Sequence, residues 1–427
     1  MANNTRPRSD EFRRIDYIKI TIFGFALSAL WNSLHTVILP LRLLDFVPEA
    51  QKNTSLDLLI LSGLVVGMAV QPIAGAISDR SGFGWGRRRP YILLGSILML
   101  LFLPGIGFFG SYAAIFIMYC LLQVGSNTAQ GPYQGFFPDL VPEGKRGLAS
   151  GIRGLLNIVG GVALVRLIAP FMDRYFTGEG SSWLWLALVV PAIVLLGAML
   201  ATVLTVKERP GTSNSQLSLL STLYKSFKID FKAHPDFILF LVGSFFIFSA
   251  WGALMAHALY YLMDVIGIAQ PAKAISDLLI AVGIGMLAVV YLAGHLSDRI
   301  GRKPIAVSAG FLGALGIVAL FFSQNYTHIL LSGGLLGISG GAWISSQWAL
   351  ATDLVGKGEE ARYLGLVNMS VAGAGAISRL IGPVIDFFNT YSPNLGYQVM
   401  LLISFIGFFS GSLLLVKIKG HRLTEIA

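Results

Sequence analysis

Long apolar segments recur along this chain and are separated by short polar stretches. The segments lack the alternation of a β-strand, and each is close to the roughly 20 residues with which an α-helix crosses a bilayer. Because backbone groups in hydrocarbon must pair internally, we predict an all-α polytopic membrane protein with twelve transmembrane helices. The predicted spans are residues 17–44, 55–77, 91–109, 112–138, 147–170, 183–206, 237–262, 274–293, 305–322, 327–350, 364–387 and 396–417.

The composition supports this class and argues against most enzymes. Of 427 residues, 55% are hydrophobic and 12% are charged, whereas soluble domains average about 25% charged residues. Cys120 is the single cysteine, so neither an intramolecular disulfide nor a cysteine metal cluster is possible. The histidines are scattered, and no P-loop motif is present. We therefore predict no cofactor, no metal site and no enzyme activity.

The formal net charge of +9 has a topological explanation. With the amino terminus in the cytoplasm, nearly all basic residues fall in loops on that side, and only Lys52, Arg174 and Lys273 lie opposite. This positive-inside distribution predicts that both termini are cytoplasmic. The expected partner of the surplus charge is anionic lipid and not nucleic acid.

The sequence contains an internal repeat. A polar stretch at residues 207–236 separates six spans from six, which predicts an N-terminal bundle (1–206), a linker (207–236) and a C-terminal bundle (237–427). "AGAISDRSGFGWGRRRP" in the first half matches "AGHLSDRIGRKP" in the second, and "RLIAPFMD" matches "RLIGPVID". Two pseudo-symmetric six-helix bundles of this kind are typical of secondary transporters, which bind substrate between the repeats.

The repeated loop motif combines glycines with an acid and several arginines at the cytoplasmic ends of helices. Such residues can form ion pairs between helix ends that separate and close again during transport. The alternative is that the positive charges only anchor the loops at the cytoplasmic membrane surface. Asp139 precedes Arg146, and Asp353 precedes Arg362 in the corresponding place. Arg153 lies deeper and is expected to pair with Asp139 or with an anionic substrate group. The predicted cytoplasmic gate comprises Asp79, Arg80, Arg87, Asp139, Arg146, Arg153, Asp298, Arg299, Arg302, Asp353 and Arg362.

Four carboxamides lie within the fourth span, in the stretch "QVGSNTAQGPYQ". Gln123, Asn127, Gln130 and Gln134 are spaced four, three and four residues apart, which places them on one helix face. Unpaired amides are costly in hydrocarbon, so this face must meet protein or water. We predict that it lines a wet cavity for a hydroxyl-rich solute, because amides both donate and accept. Hydrogen bonding between helices is the alternative.

Further polar and aromatic residues lie in spans 1, 4, 7 and 10. Rings supply the apolar faces that a sugar also presents, although Trp343 could be ordinary packing and each histidine could hydrogen-bond to a neighbouring helix. The additional candidates for solute binding are Trp31, Asn32, His35, Tyr133, Trp251, His257, Trp343 and Gln347.

Acidic residues are predicted only near the two interfaces, with Asp57 and Asp386 among those at the outer side and none at mid-membrane. Arg379 is interpreted as an outer-interface anchor. Proton coupling through a central carboxylate is therefore excluded, which leaves His35, His257, an interfacial acid such as Asp139, or uncoupled transport.

The loops "SDRSGFGWGRRRP" and "SDRIGRKP" resemble the corresponding loops of the major facilitator superfamily, and the likeness covers the whole chain. A narrower resemblance, to the sucrose and proton symporters of plants and their relatives, rests on "GMAVQPIAGAISDR", "GRRRPYI" and "NTAQGPYQGFFPDL", and on Trp31 nine residues before Pro40. It implies the twelve-helix facilitator fold and sugar transport. Those symporters carry a protonatable aspartate seven residues before the Gln of "QGP", where this chain has Gln123. Proton drive through that position is thus not implied.

These observations predict a monomeric carrier in the plasma or inner membrane that moves a small polar organic solute, a sugar or a glycoside, with proton coupling left open. One alternative is an exporter of an amphipathic compound. Another is a transporter-like sensor or assembly factor without flux.

Overall fold

A computed structural model describes residues 12–208, 234–355 and 360–419 of the chain. All regular secondary structure in these ranges is helical, and within them twelve helices are long and apolar enough to cross a membrane. The predicted number of spans is thereby confirmed. Most of the predicted linker and both chain ends lie outside the described residues.

The chain forms two compact units. Unit 1 comprises Met1–Val47 and Leu59–Leu217, and unit 2 comprises Pro48–Leu58 and Ser218–Ala427. The short segment 48–58 was predicted to belong to the N-terminal bundle, but its contacts place it in unit 2.

Unit 1 contains the helices of the first six spans. They are α1 (Arg14–Ser33), a π-helical turn (Leu34–Ile38), α2 (Leu39–Leu43), α3 (Lys52–Asp79, whose first turns belong to unit 2), α4 (Arg89–Phe108), α5 (Tyr112–Leu140), α6 (Arg146–Phe176) and α7 (Ser182–Thr205).

Unit 2 contains the remaining spans, the eleventh of which is broken at Arg379 and Leu380 into α12 and α13. Its helices are a 3-10 turn (Glu49–Gln51), α8 (Pro235–Asp264), α9 (Pro271–Ile300), α10 (Arg302–Phe321), α11 (Tyr326–Asp353), α12 (Glu360–Ser378), α13 (Ile381–Asn389) and α14 (Leu395–Val416).

The first span changes its helical geometry at His35. Pro40 has no N–H to donate, so the regular i to i−4 ladder is interrupted one turn before it. The N–H of Leu39 donates instead to the carbonyl of Leu34, which is a π-type hydrogen bond. π-turns inside helices are frequent at functional sites, and this one carries a candidate binding residue.

Helix α5, which carries the amide stripe, is held close to α4 by glycines. A Cβ on Gly125 would lie 2.9 Å from the backbone N of Met99 and 3.0 Å from the carbonyl oxygen of Gly95. Only glycine permits this backbone approach, and the approach sets the rotation of α5 within unit 1.

Candidate functional site

The first span and α5 are joined by hydrogen bonds between aromatic and polar side chains. Trp31 Nε1 donates to Ser126 Oγ over 3.0 Å, and His35 Nε2 lies 2.9 Å from the hydroxyl of Tyr119. The rings of Trp31 and His35 are 5.0 Å apart. We call Trp31, His35, Tyr119, Gln123, Ser126 and Asn127 the aromatic–amide network.

The two amides nearest to these rings are buried and hydrogen-bonded. Gln123 Nε2 donates to Tyr119 Oη over 2.9 Å, and Asn127 Nδ2 donates to the carbonyl and Oε1 of Gln123 over 2.8 and 3.1 Å. Only 7% and 6% of these residues are exposed, and they lie beneath Gly63 and Gly67 of α3. The prediction of four open amides is wrong for these two, because bonds to residues four positions away occupy their donors.

The other two amides of the stripe differ. Gln130 is half-buried and Gln134 is exposed, and neither side chain is hydrogen-bonded within the ranges that the structure describes. These amides are available to a ligand. The stripe is thus divided into a structural half and an open half.

Tyr133 belongs to the packing of unit 1. It is 4% exposed, and its hydroxyl accepts a hydrogen bond from the N–H of Gly24 over 3.1 Å. The prediction that its ring contacts solute is therefore contradicted. A tyrosine whose hydroxyl is bonded to a neighbouring helix serves mainly to hold that helix in place.

Asn32 is exposed on α1, and its Nδ2 donates to the carbonyl of Ser28 over 2.8 Å. Ser28 Oγ in turn donates to the carbonyl of Asn157 on α6 over 2.9 Å. The buried Oδ1 of Asn157 has no hydrogen-bond partner among the described residues. Sequence reasoning missed Asn157, although Arg153 lies one turn before it in the same helix. It also missed Tyr119, which the spacing of four residues to Gln123 could have revealed.

In unit 2, two candidate residues on α11 have buried donors. Trp343 and Gln347 are 4% and 2% exposed, and Trp343 Nε1 and Gln347 Nε2 lack a partner within the described part of the chain. The half-buried ring of Trp251 lies against Gly340, where a Cβ would be 3.1 Å from the ring. An unpaired buried donor costs about 1–3 kcal/mol, so these two groups are candidates for bonds to a ligand.

His257 is not placed to contact a solute, contrary to the prediction. It is fully buried, with its Nδ1 3.0 Å from Asn53 Oδ1 and its Nε2 3.0 Å from Asp57 Oδ2. All three residues belong to unit 2. The sequence placed Asp57 near the outer interface, but nothing in the pattern indicated that it would pair with this histidine.

Within the predicted gate of unit 1, Asp139 accepts from two arginines. Arg87 Nη2 lies 2.5 Å and Arg88 Nε 2.7 Å from Asp139 Oδ2, and Arg88 Nη2 also lies 3.2 Å from Asp79 Oδ1. Arg88 is 8% exposed at its side chain, and its Nη1 donates to the carbonyl of Pro132. The central arginine of this gate is therefore Arg88, which the sequence had not singled out.

Arg146 and Arg153 do not pair with Asp139, which corrects the prediction for both. Arg146 donates to the carbonyls of Val141 and Pro138 over 3.3 and 3.1 Å. The guanidinium carbon of Arg153 lies 5.6 Å from the ring centroid of Tyr133, a cation–π contact.

Unit 2 contains a related arrangement. Arg302 Nη1 lies 2.5 Å from Asp353 Oδ1 and donates to the carbonyl of Ala349 over 2.9 Å. The turns before Arg87 and Arg302 contain Gly86 and Gly301 at φ values of 127° and 99°, a conformation that favours glycine.

The remaining predicted gate residues fall into two groups. Arg80 and Arg299 are exposed at the surface of their own units. The side chains of Asp298 and Arg362 lie outside what the structure describes.

Glu208 is a further charged residue beside the arginines of unit 1, and sequence reasoning missed it. Its Oε2 accepts from the backbone N–H groups of Arg88 and Arg89, each over 3.1 Å. Burial raises the pKa of Glu208 above its usual value, although these N–H donors and the nearby guanidinium groups act in the opposite direction. The carboxylate after α7 thus holds the arginine turn before α4.

Comparison with known proteins identifies the family. The Major Facilitator Superfamily model matches residues 15–379 and 239–424. This chain is a member of the Major Facilitator Superfamily. The family and the similar proteins are transporters, and the helices of this facilitator make it a multi-pass membrane protein.

Two proteins similar to this facilitator have names that refer to sugars. The sucrose transport protein SUT1 of Oryza sativa subsp. japonica is 30% identical over 187 residues, which cover 37% of this chain and 35% of the rice protein. The lactose permease of Leuconostoc lactis is 23% identical over 288 residues, covering 61% of this chain and 44% of the permease. The matches therefore span well under two thirds of these relatives.

Solved structures show the same fold at low identity. A D-xylose-proton symporter superposes on the facilitator with a TM-score of 0.71 at 17% identity, covering 96% of this chain and all 100% of the symporter. The nucleoside transporter NupG gives a TM-score of 0.71 at 14% identity, covering 94% of this chain and 99% of that protein. Because both identities are low, these likenesses concern the fold alone.

Proposed function

We propose that this facilitator is a secondary transporter that moves a small polar organic solute, a sugar or a glycoside, by alternating access. The observation that carries the proposal is the aromatic–amide network and the free Gln130 next to it on α5. It offers rings, hydroxyls and amides without a formal charge. This combination matches a solute that has hydroxyl groups on its edges and apolar faces between them.

The names of the relatives support the same solute class. The similar proteins include a sucrose transport protein, a lactose permease and the minor myo-inositol transporter IolF of Bacillus subtilis, all named for polyhydroxylated solutes. The network gives this chain a physical basis for such a solute. In unit 2, Trp251 and the unpaired donors of Trp343 and Gln347 are the proposed complement.

The proposed transport cycle follows from the internal repeat. Bundles 1–206 and 237–427 are taken as pseudo-symmetric halves that rock about a central site, with both termini in the cytoplasm and residues 207–236 connecting them. The excess of Lys and Arg in alternate loops supports this orientation. We place the protein as a monomer in the plasma or inner membrane, in contact with anionic lipid.

The arginine clusters at Asp139 and Asp353 are the proposed cytoplasmic gate. Each acid binds an arginine from the loop that joins two helices of its own unit. Partly exposed ion pairs are weak enough to exchange partners during a cycle. Ion pairs of this kind are better suited to a gate than to a permanent structural contact.

Counterflow into proteoliposomes tests the proposed function. Purified protein preloaded with one of a panel of unlabelled sugars and glycosides is expected to accumulate the same labelled compound transiently. Gln130→Leu is expected to lower the apparent affinity, because the free amide is lost, while Gln398→Leu on an exposed face of α14 serves as the matched control. Binding without counterflow for every compound would overturn transport in favour of a sensor. Transport restricted to amphipathic compounds would favour an exporter.

A further inference from the structure

Segment 48–58 of unit 2 presents two polar side chains to α8. Asn53 and Asp57 are four residues apart at the start of α3, so they lie on one helix face, and both are fully buried. His257 lies between them with 0% exposure, 3.0 Å from each. We call these three residues and Arg379 the histidine cluster.

The orientation of Asn53 follows from its other neighbour. Its Nδ2 donates to Asp386 Oδ1 over 2.8 Å, and Asp386 Oδ2 also accepts from the N–H of Thr54 over 2.7 Å. A flipped amide would turn its oxygen toward that carboxylate, which is unfavourable. Asn53 Oδ1, an acceptor, therefore faces His257 Nδ1.

Asp57 presents an acceptor to the other nitrogen. Its Oδ2 accepts from the N–H of Gly382 over 2.8 Å, and its Oδ1 lies 3.4 Å from Arg379 Nη1. Both nitrogens of His257 thus face acceptor oxygens. A neutral imidazole has one N–H and satisfies one of them, whereas an imidazolium satisfies both.

The surrounding charges favour the same protonation state. The two cations beside the cluster are Lys52 and Arg379, and Lys52 Nζ lies 2.7 Å from Asp264. Three carboxylates lie near these two cations. The net charge of the five groups and His257 is therefore zero only when His257 carries a proton. The carboxylates are Asp57, Asp264 and Asp386.

The other titratable groups on the adjacent elements leave this balance unchanged. Tyr260, beneath Lys52 Nζ at 5.3 Å, and Tyr397, which donates to Asp264 over 2.6 Å, are neutral as phenols. Glu49 is 87% exposed and solvated. The start of α9 carries one acid, Asp277, which accepts from Tyr326, and one base, Lys273, so their charges cancel. Tyr261 of α8 donates to the carbonyl of Leu320.

We propose that His257 is a proton-binding site and that its proton holds segment 48–58 in unit 2. When the proton is lost to solvent, one ring nitrogen of His257 presents a lone pair to the oxygen of Asn53 or Asp57. The hydrogen bond between α3 and α8 at that nitrogen is then replaced by a repulsion. Helix α3 continues from this segment into unit 1, so the proton controls one end of a helix that the two units share. The coupling of this release to solute movement rests on the proposed function, whereas the protonation itself does not.

The bond between His35 and Tyr119 differs from those of His257. The hydroxyl of Tyr119 donates or accepts as required, so a neutral ring satisfies that bond in either tautomer.

Nitrogen-15 NMR of histidine-labelled protein tests the protonation state directly. The chain has six histidines, and the His257 signals are assigned by their loss in His257→Gln. At pH 7 both ring nitrogens are expected to carry a proton, and Asn53→Leu, which removes one acceptor, is expected to lower the fraction of His257 that is doubly protonated at that pH. A neutral tautomer of His257 at pH 7 in the wild-type protein would overturn the proposal.

Solute transport provides the second test. His257→Gln is expected to keep counterflow and to lose accumulation driven by an inward pH gradient, while His328→Gln, at an exposed turn of α11, keeps both. Gradient-driven accumulation that persists in His257→Gln would overturn the coupling. Absence of counterflow in the wild-type protein would count against the proposed function, and the NMR result would still decide the protonation of His257.

Discussion

The aromatic–amide network of unit 1 and the histidine cluster of unit 2 solve the same problem in different ways. Both keep polar side chains away from hydrocarbon, and both contain a histidine bonded to a side chain of another helix. The network contains hydroxyls and amides, which donate or accept as needed. The cluster contains a carboxylate, which only accepts hydrogen bonds, and a guanidinium, which only donates them.

This difference decides what each region can recognise. A set of neutral groups can exchange its internal bonds for bonds to a solute without creating a buried charge. A set of ions is satisfied by one protonation state and is destabilised by every other. The network is therefore suited to a neutral ligand, and the cluster is suited to a proton.

The largest expected effect is that of Asp57→Ala, which tests whether the cluster depends on ions. It would leave Arg379 and the protonated His257 without their shared carboxylate, and removal of one partner of a buried pair costs about 3–5 kcal/mol. The free energy of unfolding, or the midpoint of thermal unfolding in detergent, measures the loss. Asp353→Ala, in a partly exposed pair with Arg302, is the control and should cost no more than about 1 kcal/mol. Equal losses for the two variants would contradict the distinction.

Tyr119→Phe tests the centre of the network. It removes the hydroxyl bonded to both His35 and Gln123, and we expect the solute affinity to fall about tenfold, equivalent to roughly 1.4 kcal/mol. The concentration dependence of counterflow measures this. Tyr291→Phe, at a residue that is 78% exposed on α9, should have no effect. An unchanged affinity in Tyr119→Phe would remove the network from the binding site.

Gln347→Leu separates stability from binding. Because Gln347 Nε2 is buried without a partner among the described residues, its removal should stabilise the protein by about 1 kcal/mol and weaken solute binding. Thermal unfolding and counterflow, measured on the same preparation, check the two directions. A less stable variant with normal affinity would show that the residue is structural.

The smallest effect is expected at the gate. Asp139→Asn and Asp353→Asn each keep an oxygen that accepts from the arginines, and the partly exposed pairs with Arg87 and Arg302 are worth about 0.2–1 kcal/mol. Stability should change little, while the rate of solute exchange changes in the same direction for both. Opposite effects on exchange would show that the two arginine turns do not serve the same step.

Local patterns determined much of what could be predicted. The lengths of the apolar segments predicted twelve membrane-spanning helices. The spacing of Gln123 and Asn127 placed both on one helix face. The same spacing also allowed them to bond to each other and to Tyr119, an outcome that the pattern could not distinguish from an open site.

Pairings between distant residues could not be predicted in this way. The sequence predicted Arg146 and Arg153 as partners of Asp139, whereas its partners are Arg87 and Arg88, which the turn before α4 brings to one carboxylate. The partner of His257 could not be predicted either, because Asp57 lies in a different apolar segment and nothing in the sequence around it indicates this contact.

The sequence by itself determined the helices, their number and the family, because the bilayer imposes length and internal hydrogen bonding on every span. Only the tertiary structure decided which polar groups are open and which are already satisfied. That outcome depends on contacts between residues far apart in the chain, such as Asp57 with His257, and helical periodicity carries no information about such contacts.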